Sequence, residues 1–205
     1  MFATLLMITL TTGTFAGLIG AAWGMSVYNR LIARRNAIDN AFATIDVISK
    51  KRYDLVPNLV ACVKGYVAHE KAVLEEIVAL RSRAETPGLP EADRMVASNA
   101  MTAMLMGFMG LTENYPRLQA DSQFLHLQRS LVELEEQLSA ARRFFNTAVT
   151  RYNTTLQSMP TVLIAGRLGF DGREWFQALP AERVVPVVSM SSLPTDNPDL
   201  TAEGV

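Results

Sequence analysis

The first 29 residues contain no Lys, Arg, Asp, Glu or His, and Arg30 is the first charged side chain. The apolar run over residues 2–28 is long enough, as a helix, to cross about 30 Å of hydrocarbon at about 1.5 Å per residue. In lipid a lone segment must satisfy its own backbone hydrogen bonds, which favours a helix. Trp23 and Tyr28 lie near the charged end, where aromatic side chains are favoured at a membrane interface. Residues 1–29 are therefore predicted to form a transmembrane anchor.

A cleaved signal peptide is the alternative interpretation, because the small residues 20–22 resemble a cleavage site. Signal peptides begin with basic residues and have an apolar core of about 7–15 residues. This chain has no basic residue before its apolar run, and the run is longer, so the anchor is favoured.

Glycines within the anchor recur at a spacing of four, as Gly13/Gly17 and Gly20/Gly24. Such pairs let a second helix approach closely, which predicts a self-association face. Chance is the alternative, since glycine is common in membrane helices.

Composition excludes several classes of function. The formal net charge of −1 over 205 residues argues against a nucleic-acid binder, which usually carries a basic excess. The single cysteine, Cys62, excludes an intrachain disulfide and a cysteine zinc cluster. His69 and His126 are far apart in sequence, which argues against a three-ligand metal site. No metal, cofactor or nucleic acid is expected.

The chain after the anchor has helical periodicity. Apolar residues form one stripe at Leu31, Ile38, Phe42, Ile45 and Ile48, and no helix breaker separates it from the anchor. Pro57 predicts the next boundary and the start of a second helix that reaches Leu80. Residues 86–90, with two prolines and a glycine, predict a turn.

Two more helices are predicted before Pro160. The third opens with Glu91 and Asp93, acids near the positive end of a helix, and runs to about Leu111. The fourth begins near Asp121 or Ser122, either of which could cap it. Its apolar residues form a heptad seam, as in a coiled coil: Phe124, Leu127, Leu131, Leu134, Leu138, Ala141, Phe145, Ala148 and Tyr152.

The predicted fold class is all-α. A transmembrane helix (residues 1–29) continues into an antiparallel up-and-down four-helix bundle (residues 30–159). An apolar and aromatic segment (residues 160–188) follows, and the polar, proline-containing tail (residues 189–205) is predicted to be disordered.

Two groups of residues are candidate contact surfaces. Met106 and Met109 lie off the expected core face of the methionine-rich third helix, and methionine suits adaptable binding surfaces. Phe170, Trp175 and Phe176 lie where the fourth helix returns to the membrane side, and they could rest in the lipid interface. The alternatives are core filling for the methionines and a lid over the open end of the bundle for the aromatics.

Motifs along most of the chain resemble those of the LemA family. The more specific are RYDLVPNLV at residues 52–60 and TENYP at residues 112–116. Others are YNRL (28–31), IDV (45–47), KGY (64–66), LQ (127–128), ARRFFN (141–146) and YN (152–153). The resemblance covers roughly residues 2–178. It implies a bacterial single-pass membrane protein with a cytoplasmic helical bundle and no established catalytic activity; one family member serves in magnetosome membranes.

Charged residues in these motifs could form a catalytic pair or could cross-link helices. The acids are Asp46, Asp54 and Glu113, and the bases are Arg52, Lys64, Arg142 and Arg143. A carboxylate pair can support acid–base catalysis, but such charges more often satisfy helix ends. Because the chain lacks a nucleophile motif, a phosphate loop and a metal set, no catalytic residue is assigned.

The predicted function is that of a membrane-anchored scaffold or adaptor. Its expected partners are the lipid bilayer and other membrane proteins or copies of itself. The alternatives are a membrane-remodelling or lipid-organising protein, and an enzyme or sensor with an unrecognised site.

Orientation is predicted from the charges beside the anchor. Arg30, Arg34 and Arg35 follow the anchor and no Lys or Arg precedes it, which places the body in the cytoplasm. Signal-anchor insertion, with the body periplasmic or lumenal, is the alternative.

Overall fold

The computed structural model describes residues 1–67 and 69–176, and all regular structure in those residues is helical. The helices are α1 (Phe2–Val63), α2 (Lys71–Ala84), α3 (Glu91–Thr112), α4 (Pro116–Gln119), α5 (Ser122–Gln157) and α6 (Val162–Ala165). A 3₁₀ turn, Gly166–Leu168, follows α6. The all-α prediction is therefore confirmed for this part of the chain. The predicted tail (residues 189–205) and residues 177–188 lie outside it.

Helix α1 is continuous from the uncharged N-terminal segment into the body, as the absence of a breaker predicted. The predicted boundary at Pro57 is wrong, because α1 passes through it and ends at Val63. An interior proline costs a helix about 3 kcal/mol. Pro57 itself is exposed, whereas Val56 and Leu59 are fully buried. Burial of each contributes about 1.5–3 kcal/mol, which offsets the cost of the proline.

The N-terminal segment of α1 differs from the rest of the helix in exposure. Large apolar side chains such as Phe15, Leu18 and Met25 are each more than half exposed. Threonine hydroxyls donate to carbonyls one turn back, for example Thr11 Oγ1 to Met7 O at 3.0 Å. The hydroxyl groups are thus satisfied without water, as a helix in lipid requires.

Two apolar clusters fill the body. The anchor-side core contains Leu31, Ile38 and Phe42 of α1 packed on Leu138, Phe145 and Tyr152 of α5. The distal core joins the end of α1 to α2, α3 and the start of α5, and includes Leu59, Ile77, Phe108 and Phe124. The rings of Phe42 and Phe145 lie 5.8 Å apart, and those of Tyr28 and Phe170 lie 5.7 Å apart. Helices α1 and α5 therefore run in opposite directions, and the chain that follows α5 returns to the level of Tyr28.

The predicted third and fourth helices are confirmed. Helix α3 begins at Glu91, and α5 begins directly after Asp121. Asp121 Oδ1 accepts hydrogen bonds from the backbone N–H groups of Gln123 (2.8 Å) and Phe124 (3.0 Å), the expected capping arrangement. The turn before α3 contains Gly88 at φ +78°, a conformation that other residues rarely adopt.

A search of the described residues finds one helix, α3, with the length and apolar composition needed to cross a membrane. Helix α3 buries six side chains inside the body, among them Ser98, Met101 and Thr102. Ser98 and Thr102 form hydrogen bonds with the buried Arg52 of α1. These contacts identify α3 as a core helix of the body.

The C-terminal strap, which we define as residues 170–176, lies along α5. Two asparagines of α5 each form two hydrogen bonds with the backbone of the strap, at 2.7–3.0 Å. The side-chain amide of Asn146 accepts from the N–H of Phe176 and donates to its C=O, and that of Asn153 does the same with Arg173. Phe170 and Phe176 are buried in the anchor-side core. The predicted interfacial role is therefore wrong for these two residues, because their rings pack against protein.

Candidate functional site

A buried polar layer separates the two apolar cores. It lies between Ile48 and Tyr53 on α1, and between Leu131 and Leu138 on α5. Its centre is Arg52, which is 1% exposed although it carries a charge. A charge at such a depth is costly unless it is paired and hydrogen-bonded.

The guanidinium group of Arg52 binds groups from two other helices. Nη1 donates to Glu135 Oε2 of α5 and to Thr102 Oγ1 of α3, both at 2.7 Å. Nη2 donates to the backbone oxygen and the hydroxyl of Ser98, at 3.1 and 3.3 Å. These bonds join α1, α3 and α5 in one network, so their relative positions are fixed by directional contacts.

A second arginine, Arg142 of α5, enters the same network. Its Nη2 donates to Ser98 Oγ at 3.1 Å and to Thr102 Oγ1 at 3.2 Å, and its Nη1 lies 3.6 Å from Glu135 Oε1. Its guanidinium carbon stands 4.9 Å from the centre of the Phe176 ring of the strap, a cation–π distance. The polar layer is thereby connected to the C-terminal strap.

A cavity of about 390 Å³ opens beside the polar layer, between α1, the end of α2, α3 and Phe176. Its wall is partly apolar, with Phe42, Ile45 and Met95, and partly polar. The buried hydroxyls of Ser49 and Ser98 line it and lie 3.4 Å apart. A volume of this size is typical of small-molecule sites, and about half of the side chains in this wall carry polar or charged groups.

Charged side chains of the cavity wall form ion pairs. Asp46 pairs with Arg94, and burial raises the pKa of Asp46 while the Arg94 charge opposes that rise. Glu85 pairs with Arg81 at 3.2 Å, and Lys50 lies 3.6 Å from Asp54. The acids of the family motifs therefore do not form a carboxylate pair with one another. Asp46 and Asp54 have different partners, Arg52 pairs with Glu135, and Glu113 is exposed.

Two signals in the sequence could have located this layer. Arg52 lies on the buried stripe of α1, between Ile48 and Val56, and Arg142 directly follows the seam residue Ala141. A charge at the apolar spacing of a helix predicts a buried network. Glu135 directly follows the seam residue Leu134, and so has the same relation to the seam as Arg142.

A second cluster lies at the far end of α1. Cys62 Sγ is 3.9 Å from Asp121 Oδ1, and the Tyr66 hydroxyl donates to Asp121 Oδ2 at 3.0 Å. Burial, followed by the nearby Asp121 charge, raises the pKa of the Cys62 thiol. The thiol is therefore held protonated, the opposite of what a nucleophilic cysteine needs.

The predicted anchor and partner residues differ in exposure. A methyl group built at Gly13, Gly17, Gly20 or Gly24 would have no atom within 4 Å, and Trp23 and Tyr28 are 42% and 43% exposed. Met106 is 64% exposed, but Met109 packs partly buried against the distal core. The Met109 part of the predicted patch is therefore wrong.

Trp175 is exposed, and its Nε1 donates to Thr150 Oγ1 at 3.0 Å. His69 and His126 are both exposed.

Comparison with curated proteins identifies relatives of two kinds. Protein LemA of Metamycoplasma hominis is 24% identical over 156 residues, which are 76% of this chain and 71% of that protein. Magnetosome protein MamQ 2 of Paramagnetospirillum magneticum is 34% identical over 73 residues, and magnetosome protein MamQ of Magnetospirillum gryphiswaldense is 32% identical over 73 residues. In both magnetosome proteins the match covers 36% of this chain and 27% of the relative.

The sequence profile of the LemA family matches residues 41–190, which include the whole polar layer and all buried residues of both cores except Val27, Leu31 and Ile38. A match over that share of the chain is decisive for family membership. The chain belongs to the LemA family.

Proposed function

We propose that this protein is a membrane-anchored helical scaffold or adaptor that acts, without catalysis, by binding other membrane proteins or copies of itself. One observation carries the proposal: a single helix, α1, is uncharged up to Asn29, exposes most of its described side chains before Val27, and then becomes part of the core. Burial along α1 begins at Val27 and Leu31. Whatever binds the body is therefore held at a fixed position relative to the bilayer.

The arrangement proposed for the body is the up-and-down four-helix bundle, with the anchor as its single membrane crossing. The antiparallel contacts of α1 with α5 support it, since they return the chain to the level of Tyr28. Met106, exposed on α3, remains a candidate for partner binding on the side of the body.

A second contact with the bilayer follows from side chains at that level. The apolar lip, as we name Met159, Val162, Leu163 and Leu168, is 44–72% exposed next to the buried Ala165 and Phe170. Phe170 packs on Tyr28 at the end of the proposed anchor, so the exposed Arg30 and Arg167 are placed to face lipid head groups. We propose that this lip, together with the exposed Trp175, rests in the interface.

Extraction of membranes tests the anchor. Leu18→Arg with Ile19→Arg places two charges in the exposed apolar segment, and a charge at the bilayer centre costs about 3 kcal/mol or more. Alkaline carbonate should release this variant and leave the parent chain in the membrane pellet. Val78→Arg with Val132→Arg, two exposed positions in the body, is the matched control and should stay in the pellet. Release of the parent chain by carbonate would contradict the proposal.

Crosslinking tests self-assembly through the glycine face. Gly13→Leu with Gly17→Leu meets no atom of its own chain, so any effect reports on a neighbouring helix. The parent should give a crosslinked dimer in membranes, and the variant should give less than half as much. Equal dimer yields would exclude this face.

Membrane remodelling is the second candidate function, favoured by the similarity to proteins named for the magnetosome. Reconstitution of the full chain into liposomes separates it from scaffolding. Vesicles whose shape changes with protein density would support remodelling, and unchanged vesicles that still recruit a second protein would support the scaffold.

A further inference from the structure

The hydrogen-bond directions in the polar layer follow from the two arginines. A guanidinium group can only donate, so Ser98 Oγ accepts from Arg52 Nη2 at 3.3 Å and from Arg142 Nη2 at 3.1 Å. Its own hydroxyl proton must then go to another acceptor. Ser49 Oγ, at 3.4 Å, is the remaining side-chain neighbour with which Ser98 forms a hydrogen bond.

Ser49 is the end of this relay. Because Ser49 Oγ accepts the Ser98 proton, its own O–H is left to donate elsewhere, and Ser49 lines the cavity. Ser49 is 5% exposed, so bulk water is not in general contact with that hydroxyl. The two guanidinium groups thus polarise a chain of hydroxyls whose donor end faces the cavity.

We propose that this cavity binds a small molecule that carries a carboxylate on an apolar body, with the carboxylate accepting the Ser49 hydrogen bond. The inference goes beyond the scaffold function and does not depend on it. The apolar wall formed by Phe42, Ile45 and Met95 suits the body of such a ligand. A carboxylate is favoured over a neutral acceptor because the layer behind Ser98 holds two guanidinium groups and one carboxylate, which leaves a net positive charge.

Charges at the cavity wall permit an anion. Asp46 and Glu85 are neutralised by Arg94 and Arg81, respectively. The side chain of Lys50 is 70% exposed, and its ion pair with Asp54, at 3.6 Å, is a surface pair of low energy. Lys50 can therefore turn toward a bound carboxylate at little cost.

The ligand comes from solution rather than from the bilayer. Ser49 lies 21 residues after Tyr28, about 32 Å along α1 at 1.5 Å per residue. That height is beyond the reach of lipid head groups at the end of the proposed anchor.

Ligand-observed NMR on the full chain in phosphatidylcholine nanodiscs tests the proposal, with benzoate as the probe and benzamide as its neutral counterpart. Benzoate should bind the parent chain, and benzamide should bind at least about tenfold more weakly. Ser49→Ala should weaken benzoate binding about tenfold, and Ser49→Thr, which keeps the hydroxyl, should restore it. Ser82→Ala, an exposed serine on α2, should bind like the parent.

Three outcomes would overturn the proposal: no benzoate binding to the parent chain, equal binding of benzamide, or undiminished binding by Ser49→Ala. Thermal unfolding of each variant shows whether the fold is intact, and Ser49→Thr keeps the test decisive if Ser49→Ala is unstable. These measurements are independent of carbonate extraction, so a failure of the ligand proposal can be told apart from a failure of the membrane proposal.

Discussion

At the scale of single residues, Arg52 is the side chain that joins three helices of the body through hydrogen bonds. Its side chain is the one fully buried charge among the described residues, and it contacts two helices besides its own. Apolar clusters on either side would still form without it, but Ser98, Thr102 and Glu135 would be left with Arg142 as the arginine that they share. The layer therefore specifies how α3 and α5 are placed against α1.

Replacing Arg52 measures this contribution. Arg52→Ala leaves Glu135 and Thr102 without their 2.7 Å partner and should lower the free energy of unfolding by about 3 kcal/mol. Denaturant unfolding of the full chain in detergent measures the loss. Arg143→Ala, at the exposed neighbour of Arg142, is the control and should change stability by less than about 0.5 kcal/mol. Equal losses in both variants would show that burial of the arginine is not the cause.

A pH dependence is expected at Asp121. The backbone N–H of Phe124, then the Tyr66 hydroxyl, lower the pKa of this carboxyl below its ordinary value of 3.8. The ionised Asp121 therefore stabilises the fold fully above pH 3.8, and this stabilisation is lost as the pH falls through the lower pKa of the folded state. Asp121→Asn, which keeps a capping oxygen, should be less stable than the parent at neutral pH. Unfolding measured at neutral pH and at about pH 3 should show that difference shrinking. A constant difference would mean that the charge of Asp121 has no part in it.

At the scale of elements, the sequence was informative where the signal is local. The bounds of α3 and α5 were predictable because acids, a capping aspartate and a heptad seam mark them directly. Pro57 was misinterpreted because the packing of Val56 and Leu59 decides that position, and packing is not a local property. Phe170 and Phe176 were misplaced because an aromatic ring beside arginines suits lipid and protein core equally. The depth of Arg52 was visible only as a charge at an apolar spacing.

Substitution of Pro57 tests the balance within α1. Pro57→Ala restores a backbone N–H that can bond the Tyr53 carbonyl in the continuous helix, and should stabilise the body by about 1–3 kcal/mol. Denaturant unfolding provides the measurement, with Pro87→Ala in the turn before α3 as the matched control. A destabilised Pro57→Ala variant would show that the proline favours the observed geometry of α1.

The strap depends on its two asparagines. Asn146→Ala with Asn153→Ala removes four hydrogen bonds to the backbone of residues 173 and 176. Each such bond contributes about 1 kcal/mol, so the exchange of those two amide hydrogens should accelerate by at least about tenfold. Hydrogen-exchange mass spectrometry measures this, and Asn40→Ala, at an exposed position of α1, is the control. Unchanged exchange would mean that the other contacts of the strap, such as the buried rings of Phe170 and Phe176, hold it without the asparagines.

At the scale of the whole molecule, the orientation in the membrane decides which partners are accessible. Arg30, Arg34 and Arg35 follow the proposed anchor and no Lys or Arg precedes it, which favours a cytoplasmic body. A tag fused after Val205 should therefore resist protease added to intact spheroplasts and should be cleaved once the cells are lysed. Removal of the tag from intact spheroplasts would place the body outside.

The continuity of α1 also has a mechanical consequence. From Tyr28 to Val63 the helix rises about 53 Å at 1.5 Å per residue, with the body packed along it and no joint at the bilayer. In the proposed arrangement α1 moves as one rigid helix, with its shorter N-terminal part in lipid and its longer part in the body. A tilt of about 20°, the average for spanning helices, would swing the far tip sideways by about 18 Å. Bilayer thickness, which biases that tilt, would thus influence which neighbours the tip can touch.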